Sequence, residues 1–196
     1  TLIAKAELEA IAAQAPAASL SADEAVSGND IMYIMFTSGS TGRPKGVMMH
    51  AGSIEHFTAH FADLLDMRSD DVFFNRVPFS FDMSIFDMTA GLATGGTLFA
   101  LESNAERSLK ATFEALSECG ATQWVSTPSF LEACLADPSF GKDMMPQLRV
   151  ITLAGEVLRN RTAARALAVF PNVRLINSYG PTEAESVSEM DITPDI

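Results

Sequence analysis

Thr122-Gln123-Trp124-Val125-Ser126 reads as a strand, Pro128–Ala136 as a helix, and Arg149-Val150-Ile151-Thr152-Leu153 as a second strand. Strand, helix and strand in that order form the unit of a parallel sheet, because parallel neighbours need a long crossover and a helix supplies it. The alternation continues on both sides. Towards the C-terminus, Arg159–Phe170 is helix-like and Val173–Asn177 reads as a last strand. Towards the N-terminus, Ala105–Cys119, Ser84–Leu92 and Ser53–Leu65 read as helices, with Thr97–Leu101, Val72–Val77 and Ile31–Phe36 as strands. The expected fold class is therefore α/β, a mostly parallel sheet flanked by helices. Residues 2–14 read as a further helix with Leu8 and Ile11 on one stripe, and Pro16–Asp30 as a loop rich in Ala, Ser, Asp and Gly.

The whole chain has 196 residues, enough for one good core and too few for two ordinary domains. Apolar residues make up 47% and charged residues 19%, which describes a folded globule. The formal net charge is −12 and the 13 basic residues are scattered, so a nucleic-acid surface is excluded. No apolar stretch reaches membrane-spanning length, so no membrane insertion is expected. Thr1–Lys5 lacks the basic-then-apolar order of a signal peptide, and a cytoplasmic location is the expectation. Cys119 and Cys134 form no Cys-x-x-Cys pair and read as reduced core or near-core thiols.

The strongest chemical signal runs from Tyr33 to Val47: Tyr-Ile-Met-Phe-Thr-Ser-Gly-Ser-Thr-Gly-Arg-Pro-Lys-Gly-Val. A strand feeds a loop of hydroxyl and Gly residues that ends in Lys45. Gly lets backbone N–H groups converge on an anion, hydroxyls donate hydrogen bonds, and Lys supplies a point charge, which together make a phosphate cradle. A Walker A loop does not fit. Counted from Gly39, its second Gly falls on Pro44, and the hydroxyl needed after Lys45 is Gly46.

The segment Thr37-Ser38-Gly39-Ser40-Thr41-Gly42-Arg43-Pro44-Lys45-Gly46 resembles the signature loop of the adenylate-forming superfamily: acyl-CoA synthetases, luciferases and the adenylation domains of peptide synthetases. Three further segments agree in the right order. Phe79-Ser80-Phe81-Asp82-Met83-Ser84 is similar to the family's Phe-Asp-x-Ser element, and Leu153-Ala154-Gly155-Glu156 to its Gly-Gly-Glu element. Asn177-Ser178-Tyr179-Gly180-Pro181-Thr182-Glu183 is similar to Asn-x-Tyr-Gly-Pro-Thr-Glu. Within the superfamily, Trp124–Phe130, Cys134-Leu135, Asp137–Phe140 and Gly155–Leu158 most resemble the ligases that charge D-alanine onto a carrier protein for teichoic acid esterification of the cell wall. On this likeness the chain is an incomplete piece of a large N-terminal, AMP-binding domain. The family's C-terminal Asp, Arg and Lys motifs do not appear in it, and it should turn over poorly alone.

The resemblance implies ATP and Mg²⁺ as cofactors, a small amino acid as substrate, and the phosphopantetheine thiol of a carrier protein as acceptor. It implies that Thr37, Ser38, Gly39, Ser40, Thr41, Gly42 and Lys45 hold the triphosphate. Gly155, Glu156, Asn177, Ser178, Tyr179, Gly180, Pro181 and Thr182 then surround the rest of the nucleotide, with Tyr179 as the adenine platform. Thr37, Lys45, Thr182 and Glu183 are the implied catalytic groups, and Glu183 the Mg²⁺ ligand. The other reading of Glu183 is a first-turn acid set against a helix dipole. Asp82 sits among apolar residues, where a carboxylate needs a positive partner, and is implied to anchor the substrate ammonium. Asp82 is equally suited to cap the helix that starts near Met83. Met83, Phe86, Ala154 and Ser186 complete the implied substrate pocket. Two of these depart from the D-alanine ligases: Ala154 stands where Cys is common, and Ser186 where an aliphatic residue such as Val is expected. Both make the pocket wider or more polar.

His56 and His60 are spaced i, i+4 on a helix, but Phe57 occupies the place where a zinc hydrolase needs Glu, and a solvated helix face is the better reading. Trp124 reads as core or pocket wall. The alternatives are a different adenylate former, such as an acyl-CoA synthetase or a peptide-synthetase domain, and, from another class, a non-catalytic nucleotide-binding or protein-interaction module.

Overall fold

The computed structural model describes residues 10–11, 13–14, 21, 25–38, 42–101 and 108–195. Among these, Ile31–Thr37 (β1) and Lys45–His50 (β2) form an antiparallel hairpin by themselves. A second, six-stranded sheet follows. Its members are Val72–Asn75 (β3), Thr97–Ala100 (β4), Gln123–Ser126 (β5), Val150–Leu153 (β6), Arg174–Tyr179 (β7) and Ser188–Ile192 (β8), in the order β4-β3-β5-β6-β7-β8. All neighbours are parallel except β7 and β8. The helices are Ala51–Leu64 (α1), Met83–Thr94 (α2), Leu109–Cys119 (α3), Pro128–Leu135 (α4) and Asn160–Val169 (α5).

The expected α/β architecture is present, with two corrections. Ile31–Phe36 is a strand, but it pairs antiparallel in the separate hairpin instead of joining the parallel sheet. Val173–Asn177 is not the last strand, since β8 turns back antiparallel on β7. The expectations for residues 2–9 and 105–107 lie outside the described residues, as does most of the loop expected over 16–30.

Burial explains the strands. β5 and β6 are buried at every residue, as strands covered on both faces must be. Side chains then alternate between two cores. Trp124, Ile151, Leu153 and Leu175 point into a layer built with Leu116, Leu131 and Cys134 of α3 and α4. Val125, Val150 and Ile176 point the other way, onto Phe61 of α1 and Phe86 of α2. Trp124 is thus core, packed edge-on against Phe130 and Phe140. Cys119 and Cys134 are free thiols, and burial pushes Cys134 up to about 12, so it is inert.

Local signals end the helices where the sheet requires it. Thr127 caps α4 by accepting from Phe130 N at 3.3 Å, with Pro128 in the first turn. Gly95 and Gly120 close α2 and α3 in the left-handed region that glycine tolerates best.

Candidate functional site

Connections leaving the carboxyl ends of the parallel strands enclose a cavity of about 420 Å³. In a sheet of this kind the crevice beyond those ends is the natural ligand site. Asp82, Met83 and Phe86 enter it from the start of α2, Ala154, Gly155 and Glu156 from the end of β6, Ser178 from the end of β7, and Gly180, Pro181, Thr182 and Ser186 from beyond it. Residues from three of the four signature segments therefore meet, although a hundred positions separate Asp82 from Thr182.

Asp82 lies at the centre of that meeting. Its carboxylate accepts from Met83 N at 2.9 Å, which caps α2, and from Thr182 Oγ1 at 2.6 Å. The capping reading is thus realised, and the hydroxyl contact ties two signature segments together. Glu156 does more than line the cavity. It accepts from Ser129 N at 3.0 Å and Ser129 Oγ at 2.8 Å, fastening the β6 loop to the first turn of α4. Gly155 has φ +82°, and a β-carbon there would press on Met83 Sδ at 3.3 Å.

Gly180 lets the next loop fold back. A β-carbon on it would lie 2.1 Å from the Glu185 carbonyl oxygen and 2.6 Å from Ser186 Cα, so only glycine permits the approach. The returning loop holds Glu185 at φ +58°, and the Tyr33 hydroxyl donates to its Oε1. This bond joins the hairpin to the loop after β7. Burial pushes the Glu185 carboxyl up to about 7. Ser186 Oγ donates to Glu189 Oε1 at 2.5 Å and lies 2.8 Å from Ser178 Oγ.

A larger cavity of about 750 Å³ adjoins the first, with Glu185 and Ser186 in the wall of both. Glu183, His50, His56 and His60 open into it and are exposed, and Glu189 lines it half-buried. The histidines are on an exposed face as expected, yet they converge on one cavity, which spacing along a single helix does not reveal. His60 Nε2 is 3.4 Å from Glu189 Oε2. Among the described residues no three His, Cys, Asp or Glu side chains could together hold a metal.

The segment read as a phosphate loop falls between β1 and β2. Thr37 closes β1 opposite Lys45, which opens β2 and is exposed. Gly42 has φ +78° and open space where a side chain would be. Gly39, Ser40 and Thr41 lie outside the described residues. Thr37, Ser38, Gly42 and Lys45 line neither cavity, so the structure leaves them apart from Asp82. Tyr179, at the end of β7, is 66% exposed and presents a free ring face, while Asn177 holds a buried Oδ1 with no partner among the described residues. Sequence reasoning missed Tyr33, Glu185 and Glu189. Only Glu185 carried a signal, being a second acid two positions beyond Glu183.

The chain matches the family model described as "AMP-binding enzyme" over residues 2–195. It is 40% identical over 172 residues to the D-alanine–D-alanyl carrier protein ligase of Bacillus licheniformis, covering 87% of this chain and 34% of that protein. Among solved structures it is similar to the Vibrio cholerae adenylation domain AlmE in complex with glycyl-adenosine-5'-phosphate. The TM-score there is 0.79 at 25% identity, over 88% of this chain and 32% of that one. VinN in complex with L-aspartate gives a TM-score of 0.76 at 26% identity, covering 94% and 45%. The chain spans about a third of the length of the curated relatives it matches. It belongs to the AMP-binding enzyme family.

Proposed function

We propose that this member of the AMP-binding enzyme family is part of the nucleotide-binding domain of a ligase that uses ATP to activate a small amino acid as its aminoacyl-AMP. The carrying observation is the meeting of Asp82 and Thr182, from two signature segments, in one cavity at the carboxyl ends of the parallel strands. D-alanine is the substrate suggested by relatives named as D-alanine–D-alanyl carrier protein ligases, and those names support a carrier-protein thiol as the acceptor. A cytoplasmic location suits a reaction that consumes ATP.

The substrate carboxylate is ionised at neutral pH, so its attack on the α-phosphorus of ATP needs no base from the chain. The chain must instead bring two anions together. Asp82 holds the ammonium, and its bonds to Met83 N and Thr182 Oγ1 orient it before substrate arrives. Lys45 and the hydroxyls of Thr37, Ser38 and Thr41 receive the phosphates that leave as pyrophosphate. Tyr179 offers its exposed ring to adenine. Glu183 suits Mg²⁺, which takes one or two carboxylates and fills its remaining places with water and phosphate oxygens. Mg²⁺ when bound shields charge on the phosphates. These residues supply part of a site, and alone they should bind nucleotide weakly.

The test is incubation of the complete protein with ATP, Mg²⁺ and D-alanine, reading AMP-linked product by mass spectrometry. Aminoacyl-AMP formed with equimolar pyrophosphate supports the reading. Release of inorganic phosphate with no acyl-AMP contradicts it.

A further inference from the structure

The smaller cavity contains no Lys, Arg or His in its lining, but it does contain Asp82, Glu156 and Glu185. The hydrogen bonds around it run in one direction. A carboxylate only accepts, so Ser186 must spend its single proton on Glu189 Oε1 at 2.5 Å. Ser186 is then the acceptor towards Ser178, 2.8 Å away, and Ser178 spends its own proton there. Both hydroxyls are left with lone pairs only. Glu185 Oε1 accepts a hydrogen bond from the Tyr33 hydroxyl, and when ionised the carboxylate has further acceptor sites. On the neighbouring strand, Thr152 lines the same cavity and carries a buried hydroxyl with no partner among the described residues, able to accept from a ligand or donate to it. Asp82 stands apart from this group, already committed to Met83 and Thr182.

Building on the amino-acid reading above, but departing from the D-alanine suggested by the relatives' names, we infer that the substrate is a small amino acid whose side chain ends in a hydrogen-bond donor, a β-hydroxyl or β-ammonium, received by Ser178, Ser186 and Glu185. A methyl side chain offers no donor to the remaining lone pairs of Ser178, Ser186 and Glu185 and forgoes the hydrogen bonds that a hydroxyl or ammonium would make there. A carboxylate side chain would meet Glu185 and be repelled. Serine and 2,3-diaminopropionate share the required chemistry. 2-Aminobutyrate has nearly the same shape and lacks the donor, so it isolates the hydrogen bond from size.

The experiment is ATP–pyrophosphate exchange by the complete protein, with both enantiomers of serine, 2,3-diaminopropionate, 2-aminobutyrate and alanine, and with an unsubstituted carboxylic acid. The expected result is kcat/KM for serine or 2,3-diaminopropionate about 10- to 100-fold above 2-aminobutyrate of the same hand. Preference for serine assigns a hydroxyl, and preference for the diamino acid, rising with pH as Glu185 ionises, assigns an ammonium. The preference should shrink towards unity in Ser186→Ala, read as a ratio within each protein. Alanine or 2-aminobutyrate as the best substrate overturns the inference and leaves amino-acid activation standing. Exchange with the unsubstituted acid and no amino acid overturns both.

Discussion

The two ends of the parallel strands treat buried acids in opposite ways. At the amino ends, Asp71 is matched on every side. Arg149 NH2 reaches its two oxygens at 2.7 and 2.9 Å, Thr122 Oγ1 donates at 2.6 Å, and Arg68 N donates at 2.8 Å. Burial alone would raise this carboxyl, but the bonds from Thr122, Arg149 and Arg68 outweigh it and hold it below the ordinary range. The cluster joins the starts of β3, β5 and β6. At the carboxyl ends, Asp87 of α2 is fully buried, receives only Asn75 Nδ2 at 3.1 Å, and keeps Oδ1 without a partner among the described residues. Burial pushes it up to about 8, and Glu185 to about 7. One end is closed by charge pairing. The other end keeps two carboxyls without a cation: Asp87 within the core, lining neither cavity, and Glu185 in the wall of both, where a ligand's positive group or donor can meet it.

Removing a partner at the closed end should have the largest effect on stability. Arg149→Met leaves Asp71 buried without its cation and should cost about 3 kcal/mol, read by urea unfolding. Amino-acid activation per folded molecule should survive, because Arg149 lies at the end of the strands away from the cavity. Loss of activity in fully folded Arg149→Met would erase the distinction between the ends.

The pH response separates the ends by sign. Asp71 stabilises the fold above its ordinary value, and that contribution disappears as pH falls through its lowered folded value. Asp87 works in reverse. Between its ordinary value of 3.8 and about 8 the folded state binds the extra proton, so stability falls as pH rises through that window. Asp87→Asn should flatten this slope in thermal melts taken from pH 4 to 9, and an unchanged slope would show that Asp87 is ionised with a partner. Glu185→Gln should remove a smaller slope of the same sign between 4.5 and about 7, since Glu185 is only partly buried. The smallest effect belongs to the caps. Thr127→Ala should cost about 1 kcal/mol with the melting cooperativity retained.

The parallel core was legible because it writes itself locally. Runs such as Val150–Leu153 are apolar and short, and caps such as Thr127-Pro128 mark the next helix. β2 escaped because Lys45-Gly46-Val47-Met48-Met49-His50 has one β-branched residue among Gly and Met. β8 escaped because Ser188-Glu189-Met190-Asp191-Ile192 is an edge strand that carries two acids. The four signature segments were readable since each contains its own chemistry. Their assembly was not. Tyr33 meets Glu185 across 152 positions, and Ser186 reads as a lone polar substitution until Ser178 and Glu189 are beside it. Hydrogen-bond direction depends on which groups face each other, and no local pattern specifies that.

The most direct test of the account is amino-acid-dependent ATP–pyrophosphate exchange by the complete protein and its Asp82→Asn variant. Asn has the same shape and its amide oxygen can keep the helix cap to Met83 N, while its NH2 then faces Thr182 Oγ1, which must accept where it donated before, so the substitution removes the charge and reverses one hydrogen bond. The account predicts exchange with small amino acids, a loss of about 10²- to 10³-fold in kcat/KM for all of them in the variant, and unchanged ATP binding. Normal kcat/KM for amino acids in Asp82→Asn would contradict it.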